Sequence, residues 1–381
     1  MKVKIHKLFE YLLKTTDRPV DAVVGFSLAS SPTLGAFMDD LDPAMSLDWN
    51  QRSFQGLPEL REHVIRQAGL TGTCGADDVL ITAGAAEANY IALLQLLQPG
   101  DEIVLEQPGW PQAQVLAQSM GIKINAVRRR PEQGWALPLD ELEAAVNERT
   151  RLIFLTNPNN PTGKLLTEAE LSRLAQIADR AGAYLLVDEV YAGLEWMGDR
   201  RPSIAGLYER GITTGSVSKA LGLQGLRTGW MICRDRTFLL DAVIRRENMS
   251  EIMNVMGEVI AEIALRPERY DKAITAAREE GMANLRKLDA FVENQPLLSW
   301  HRPEGGLIGL ARLHSGQSSD DFADGLLSDP YRTFLLPGSA YGEDDHIRLG
   351  VGGGASANLD LGLSRLADYL RGLPSAARLG R

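Results

Sequence analysis

Three consecutive stretches decide the fold: RLIFLTNPNNPTG at residues 151–163, TEAELSRLAQIADRAG at 167–182 and AYLLVDEVY at 183–191. The first and third contain short apolar runs typical of buried strands, and each run ends in polar residues. The middle stretch has the apolar spacing of an amphipathic helix, and Thr167 with Glu170 predicts a capping box at its start. A strand, a helix and a strand in succession favour a parallel sheet with helices packed on it.

The same alternation of strands and helices continues on both sides of this unit. Upstream, DDVLITAG at 77–84 and EIVLEQPGW at 102–110 predict two strands, and the helix between them ends at Pro99. Downstream, GITTGSVSK at 211–219 and RTGWMICRD at 227–235 predict two more strands. We therefore expect an α/β fold with a mostly parallel sheet covered by helices on both faces. In such sheets ligands bind beyond the carboxyl ends of the strands.

The C-terminal part of the chain predicts a different organisation. A long helical stretch runs from Ile252 to Phe291. PEGGLIGLARL at 303–313 and HIRLGVGG at 346–353 then predict strands, and a last helix is expected near 359–370. Strands and a helix that follow the main alternating pattern favour a separate, smaller α+β domain.

Composition and charge exclude several classes of protein. The 381 residues are 44% hydrophobic and 24% charged, which is typical of a globular chain with a large core. The net charge of −10 argues against binding to nucleic acid or to anionic lipid. Cys74 and Cys233 are too few for a disulfide framework or a zinc cluster, so no metal site is expected. The N-terminus lacks the pattern of a signal peptide, and no apolar run approaches the roughly 18 residues of a membrane span, so we expect a cytoplasmic protein.

Short polar motifs follow the apolar runs, and together their order and spacing are specific. They are TAGAAEA at 82–88, PGW at 108–110, NPNNPTG at 157–163, DEVY at 188–191, SVSKALGLQGLRTGW at 216–230 and IRLG at 347–350. From about Gly56 to Gly353 the chain resembles the class I/II aminotransferases, which are fold type I pyridoxal-phosphate enzymes. The resemblance implies pyridoxal 5′-phosphate as the cofactor, an L-amino acid as the substrate and a keto acid as its partner in the exchange.

Lys219 is the residue on which this function depends. The resemblance implies that its amine forms a Schiff base with the cofactor aldehyde, is displaced by the substrate amine and then moves protons. Ser216, Ser218 and Gly222 surround it in the sequence and leave room for a ligand. A solvated loop lysine is the alternative explanation, because most lysines are exposed.

Four residues are expected to bind the cofactor phosphate. Ala85 and Ala86 open the helix after DDVLITAG, where free backbone N–H groups and the helix dipole favour an anion. Ser216 adds a hydroxyl group. Arg227 adds a guanidinium that can bind two phosphate oxygens, although an arginine in a loop can equally form an exposed ion pair.

Four further residues are expected around the cofactor ring. The resemblance places Asp188 on the ring nitrogen, where a carboxylate keeps the ring protonated and electron-withdrawing. It places Asn160 and Tyr191 on the ring oxygen and stacks Trp110 on the ring face. Lys219, Asp188 and Tyr191 are therefore the predicted catalytic residues.

Arg348 matches the arginine that binds the substrate α-carboxylate, for which a planar fork is well suited. The resemblance also implies a homodimer with residues of both subunits at each site. We expect an N-terminal segment over residues 1–40 that joins the small domain. The large cofactor-binding domain is expected over 41–290 and the small C-terminal domain over 291–381.

One segment departs from the family pattern. Family members carry a tyrosine a few residues before G-x-x-x-L-R, where this chain has WNQRSFQGLPELR with Trp49, Arg52 and Phe54 around that place. The N-terminal segment also differs. A looser likeness to capreomycidine synthase and the pyridoxal-dependent arginine oxidases therefore leaves an alternative open. It is a lyase, cyclase or oxidase that acts at the β or γ carbon of an amino acid such as arginine or hydroxyarginine.

The N-terminal segment offers groups that would distinguish these reactions. Ser27, Ser30, Ser31 and Thr33 are candidates for the substrate pocket, and Glu10, Asp39 and Asp40 are candidates to meet a cationic side chain. Solvated or helix-capping roles are the alternative for each of them.

Overall fold

A seven-stranded sheet forms the centre of the protein. The computed structural model describes residues 2–48, 53–353 and 358–373. The strands of all the described residues, in chain order, are β1 (Ala22–Val23), β2 (Val79–Thr82), β3 (Glu102–Gln107), β4 (Lys123–Arg128), β5 (Thr150–Thr156), β6 (Tyr184–Asp188), β7 (Gly211–Ser216), β8 (Gly229–Ile232), β9 (Leu298–Trp300), β10 (Ile308–Leu313), β11 (Thr333–Phe334), β12 (Leu336–Pro337) and β13 (His346–Gly350). The central sheet has the order β2-β8-β7-β6-β5-β3-β4.

The α-helices begin and end where the sequence supplies caps and prolines. In chain order they are α1 (Lys7–Asp17), α2 (Pro58–Gln67), α3 (Ala85–Leu96), α4 (Pro111–Ser119), α5 (Leu139–Ala145), α6 (Glu168–Ala181), α7 (Ile204–Leu207), α8 (Arg236–Glu247), α9 (Val255–Leu265), α10 (Pro267–Glu293), α11 (Ser319–Leu327) and α12 (Leu359–Gly372). Thr167 and Glu170 form the predicted capping box of α6. The stretch predicted as one helix is two, because Pro267 begins α10 as its first residue. Within the described residues, no helix is long and apolar enough to cross a lipid bilayer.

Most neighbouring strands of the central sheet run parallel, as the sequence predicts. β3 pairs in parallel with β4 and β5, β5 with β6, and β6 with β7. β8 differs, because it is antiparallel to both β2 and β7. A loop containing one short 3₁₀ turn at Gln224–Leu226 connects β7 to β8. A parallel neighbour needs a crossover, usually a helix, so this direct connection brings the chain back in the opposite direction.

Apolar side chains alternate between the two faces of the central sheet. On β5, Leu152 and Phe154 pack in a cluster with residues of α3, α4 and α8. Ile153 and Leu155 pack in a different cluster with residues of α5 and α6. Because both faces are covered, the apolar runs of these strands are almost continuous.

A second, smaller sheet has the order β12-β13-β10-β9 and is antiparallel throughout. The N-terminal segment reaches it, since β1 pairs in parallel with β11 and the Gly350 N–H donates to the Val24 oxygen at 2.7 Å. These contacts bring the N-terminal residues next to the C-terminal strands. The division into domains at 1–40, 41–290 and 291–381 stays a prediction.

Candidate active site

The carboxyl ends of β5, β6 and β7 open into a cavity of about 850 Å³. Their last residues, Thr156, Asp188 and Ser216, all line it. All ten residues that the resemblance to the family assigns to the cofactor or the substrate carboxylate line this same cavity: Ala85, Ala86, Trp110, Asn160, Asp188, Tyr191, Ser216, Lys219, Arg227 and Arg348. The fold therefore collects residues that are far apart in the chain around one space.

Asp188 contributes an almost fully buried carboxyl group to the cavity wall. Asn89 Nδ2 donates to Asp188 Oδ2 at 2.8 Å, and the Thr214 hydroxyl donates to Asn89 Oδ1 at 2.8 Å, which fixes the orientation of the amide. Burial raises the pKa of Asp188 to about 6, while the hydrogen bonds from Asn89 and Val190 and the charge of Lys219 oppose that rise. A positively charged group bound beside this carboxyl group would favour its ionised form.

Asn160 and Tyr191 provide polar atoms that are ready for a ligand. Asn160 Oδ1 and Tyr191 Oη are buried, and neither has a hydrogen-bond partner among the described residues. Buried polar atoms are nearly always hydrogen-bonded, so two such atoms in one cavity fit a bound polar group. Asn160 is held in place by Thr156, whose Oγ1 accepts the Asn160 N–H at 3.1 Å and donates to Glu106 Oε1 at 2.8 Å.

Lys219 lies in the loop between β7 and β8, and its side chain lines the cavity. Nζ donates to Ser27 Oγ at 3.4 Å and lies 5.6 Å from the centre of the Tyr191 ring. The Lys219 backbone oxygen accepts the Ala29 N–H at 2.9 Å, so the loop is held against the N-terminal segment. Gly222 has a φ of +66°, and a Cβ there would collide with the backbone of that segment.

An anion site forms where α3 begins. The helix starts after Gly84, which supplies no side-chain cap, so the N–H groups of Ala85 and Ala86 remain available to a ligand. Gly84 has a φ of +84°, and a Cβ there would lie 2.5 Å from Arg227 Nη2. Glycine thus lets the guanidinium reach the start of the helix, and Ser216 adds its hydroxyl to the same cavity. A helix N-terminus, a guanidinium and a hydroxyl together favour a phosphate.

Trp110 provides an aromatic wall at the start of α4. Its Nε1 donates to Gln112 Oε1 at 3.2 Å, and Gln112 Nε2 donates to the Ala86 oxygen at 2.8 Å. The His6 ring lies on another side, with its centre 6.1 Å from that of the indole. These contacts fix the indole, and a fixed indole suits the stacking of a flat ring.

Arg348 reaches the cavity from β13 of the smaller sheet and is only 5% exposed. Its Nη1 donates to Tyr341 Oη at 2.8 Å, and its Nη2 donates to the Gly25 oxygen at 2.8 Å. Nε is buried and has no partner within the part of the chain that the structure describes. A guanidinium has five N–H donors, so the side chain keeps the capacity to bind a carboxylate.

Several contributing residues were not predicted from the sequence. Asn89 and Gln112 connect the cavity residues to one another, and Leu8 and Leu12 line the cavity from α1. Helical spacing in the sequence could have indicated some of them. Asn89 lies four residues after Ala85 and therefore on the same side of α3, and Leu8 and Leu12 are also four residues apart.

The carboxylates proposed to meet a cationic substrate are placed elsewhere. Asp40 forms ion pairs with Arg266, at 3.0 Å, and with Arg269. Neither Glu10 nor Asp39 is among the residues that line the cavity. Their assignment to the substrate pocket therefore has no support in the structure. The two partners of Asp40 are more than 200 residues away in the chain, so no local sequence pattern reveals them.

Among the predicted hydroxyl groups of the N-terminal segment, Ser27 is the one that lines the cavity. Ser30 donates to Glu280 at 2.9 Å, and Ser31 donates to the Gly222 oxygen at 2.7 Å. Those two hydroxyls therefore hold the segment in place, and Ser27 is left as the hydroxyl beside Lys219.

This fold is shared with known aminotransferases. The sequence profile described as aminotransferase class I and II matches residues 50–366. The chain is 30% identical to the arginine–pyruvate transaminase of Pseudomonas aeruginosa over 292 residues, which cover 72% of this chain and 70% of that protein. It is 28% identical to the capreomycidine synthase of Streptomyces vinaceus over 335 residues, 87% of this chain and 85% of that one. A PLP-dependent aminotransferase from Streptococcus suis superimposes with a TM-score of 0.89 at 27% identity, covering 98% of this chain and 100% of the other.

The fold is therefore that of the fold type I pyridoxal-phosphate enzymes, as predicted. The chain belongs to the aminotransferase class I and II family and is a pyridoxal-phosphate-dependent aminotransferase. Its cofactor is pyridoxal 5′-phosphate. The residues present fit this cofactor, because the unpaired Tyr191 hydroxyl and the Asn160 amide N–H groups can donate to a ring oxygen and the buried Asp188 suits a ring nitrogen.

A pH-dependent stability should follow from the burial of Asp188. Its pKa is about 6 in the folded protein against 3.8 as a free side chain, so the unfolded chain releases the proton first as the pH rises. The stabilisation is complete below about pH 4 and is lost by about pH 6. In the cofactor-free protein, the unfolding free energy of wild type relative to Asp188→Asn should fall by roughly 3 kcal/mol over this range and then stay constant.

Denaturant unfolding at a series of pH values measures this difference. Asp140→Asn is the control, because the Asp140 side chain is 91% exposed and lacks the burial on which the prediction rests. A constant difference between wild type and Asp188→Asn from pH 4 to pH 6 would contradict the effect of burial.

Proposed function

We propose that this chain exchanges the amino group of an L-amino acid with the oxo group of a keto acid, and that Lys219 is the amine that holds the cofactor. One observation carries the proposal: the Lys219 amine, the buried Asp188 carboxyl group and the Arg348 guanidinium all meet in one cavity. An amine, an acid and a carboxylate-binding cation are the groups that this exchange needs.

Three residues would hold the cofactor ring. When bound, pyridoxal phosphate supplies an aldehyde that bonds to amines and a ring that draws electrons from the substrate α-carbon. Asp188 would keep the proton on the ring nitrogen, since a nearby carboxylate favours the charged form of a base. Asn160 and Tyr191 would bind the ring oxygen, since the Asn160 amide can donate through Nδ2 and the Tyr191 hydroxyl has no other partner among the described residues.

Five residues would hold the rest of the cofactor. Ala85 and Ala86 offer backbone N–H groups to the phosphate, and Arg227 and Ser216 add charge and a hydroxyl. Trp110 faces the same cavity with its ring fixed by hydrogen bonding, so we assign it to stacking.

Lys219 and Arg348 would act on the substrate. Arg348 binds the α-carboxylate and thereby limits the orientations of the α-carbon. Lys219 Nζ, once the substrate amine has replaced it, is free to accept the proton of the α-carbon. The hydroxyl of Ser27, 3.4 Å from Nζ, keeps the amine on this side of the cavity.

A lyase, cyclase or oxidase acting at the β or γ carbon is the alternative function. Its support is the similarity to capreomycidine synthase along 87% of the chain. The same cofactor residues serve both kinds of reaction, so the discrimination depends on the groups that surround the substrate side chain.

We also propose that the working unit is a homodimer. Leu240 and Ile244 are four residues apart on α8 and are 61% and 55% exposed, which suits an interface. Arg246 on the same helix donates to the backbone oxygen of Phe54, so α8 itself contacts the segment expected to reach a partner. Trp49 and Arg52 of that segment lie outside the described residues.

The homodimer predicts a defined result in sedimentation. Wild-type holoenzyme should sediment as a dimer at assay concentration, and Ile244→Glu should shift it towards the monomer with loss of activity, because a charge is placed on the apolar surface. A fully active wild-type monomer would refute the homodimer.

Replacing Lys219 tests the central assignment. Borohydride should fix the cofactor covalently to the wild-type chain at Lys219, as identified by peptide mass, and Lys219→Ala should lose both this attachment and activity. Lys272→Ala is the control, because Lys272 is exposed on α10, away from the cavity residues. Attachment that persists in Lys219→Ala would overturn the assignment.

The products of the same holoenzyme distinguish the two functions. Formation of the keto acid of the substrate, dependent on an added keto acid acceptor, supports amine exchange. Dehydration, cyclisation or oxidation of the amino acid without an acceptor supports the alternative.

Arg348→Gln should weaken amino-acid binding by about 2 to 4 kcal/mol and leave cofactor binding unchanged, because a charge-assisted pair with the α-carboxylate is lost. Spectral titration of the holoenzyme measures both. Arg312→Gln is a matched control, since Arg312 lies on the neighbouring strand β10 and pairs with Asp345 at the surface. Loss of cofactor with normal substrate affinity would place Arg348 at the cofactor instead.

A further inference from the structure

The part of the cavity contributed by the N-terminal segment is mostly apolar. Leu8, Leu12 and Thr15 line the cavity from α1. Their spacing of four and three residues places all three on one face of the helix. A continuous face of α1 is therefore turned towards the space next to Lys219 and Arg348.

The strands around α1 extend the same apolar wall. Val23 belongs to β1, Phe334 to β11 and Leu336 to β12, and all three line the cavity together with Val20. These strands adjoin β13, which carries Arg348, since Leu336 pairs with Arg348 in the sheet. An amino acid held by its carboxylate at Arg348 thus lies next to apolar side chains.

The wall is fixed to the rest of the protein. Lys14 binds Asp324 at 2.7 Å, Lys7 binds Asp320, and Tyr11 Oη donates to the Asp320 oxygen at 3.1 Å. All three contacts join α1 to α11. Because α1 is held at successive turns, Leu8 and Leu12 keep their position at the cavity.

The charged residues that line the cavity also favour an uncharged substrate side chain. Among the described residues that line it, Asp188 is the one carboxylate, and its Oδ2 already accepts a hydrogen bond from Asn89. A cationic substrate side chain would therefore meet no free counter-charge. The lining cation on this side, Arg18, is 44% exposed and lies 3.8 Å from Asp324, so an acidic side chain gains little from it.

We propose that the cavity selects amino acids with bulky, uncharged, apolar side chains, such as leucine or phenylalanine, and rejects arginine-like and acidic ones. The inference rests on the proposed role of Arg348 as the carboxylate anchor. Burial of a large apolar group against Leu8, Leu12 and Phe334 is favourable, whereas a guanidinium would lose its hydration there without a partner.

Binding of unreactive acids to the holoenzyme tests the inference without requiring any reaction. Phenylpropanoate, guanidinopentanoate and succinate all carry a carboxylate for Arg348 but no amine. Phenylpropanoate should bind at least roughly tenfold more tightly than the other two in calorimetric titration, because only its side chain matches the apolar wall.

A pair of variants locates the effect on α1. Leu12→Glu should weaken phenylpropanoate binding at least roughly tenfold, because it places a charge on the apolar wall. Leu13→Glu should change it little, since Leu13 is similarly exposed, at 47% against 41%, but does not line the cavity. Equal losses in the two variants, or wild-type binding of guanidinopentanoate or succinate as tight as that of phenylpropanoate, would overturn the inference.

The outcomes separate this inference from the proposed function. Preferred binding of phenylpropanoate without amine exchange for any amino acid would refute the function and leave the pocket assignment standing. Amine exchange with arginine or aspartate as the preferred substrate would refute the pocket assignment and leave the function standing.

Discussion

The burial of one carboxyl group organises this protein. Asp188 ends β6, the central strand of the sheet, and burial raises its pKa to about 6. An uncompensated carboxylate at this depth is unfavourable, so the surrounding structure must supply donors or a positive charge. Asn89 supplies a donor, and Thr214 fixes the orientation of the Asn89 amide. In the proposed arrangement, a protonated ring nitrogen would complete the compensation.

Much of the fold could be predicted, because buried parallel strands and amphipathic helices have local signals. The strand–helix–strand unit around α6 is confirmed, including the capping box of Thr167 and Glu170. The direction of a strand and a break within a helical stretch were harder to predict. The reversal of β8 depends on the short path of the loop from β7, and apolar spacing carries no information about direction. The helical pattern from 252 to 291 hides the break before Pro267, since the apolar spacing continues across it.

The residues of the site also fall into two groups: those that local sequence motifs reveal and those that only the fold brings together. Motif order nominated every cofactor residue, and the structure collects them around one cavity, although their individual roles stay predictions. Asn89 and Gln112 were not predicted, because they act through neighbours that only the fold brings close. The proposed contact of Asp40 with a cationic substrate has no support in the structure, for a related reason. Its partners Arg266 and Arg269 are more than 200 residues away in sequence, and the chain pattern shows an acidic residue without showing what neutralises it.

The cavity is lined by two halves of the structure, and each half has a different chemical role to fulfil. The half formed by the central sheet must meet a charged cofactor, so its buried polar groups are fixed by hydrogen bonds such as that from Asn89 to Asp188. The half formed by α1, β1, β11 and β12 is the one that we propose to meet the substrate side chain, and its lining is mostly apolar. The two halves are in contact, since the Lys219 backbone oxygen accepts the Ala29 N–H and the His6 ring lies beside the Trp110 indole. Substitutions on the apolar wall that leave these contacts in place can therefore change substrate choice while the cofactor residues are kept.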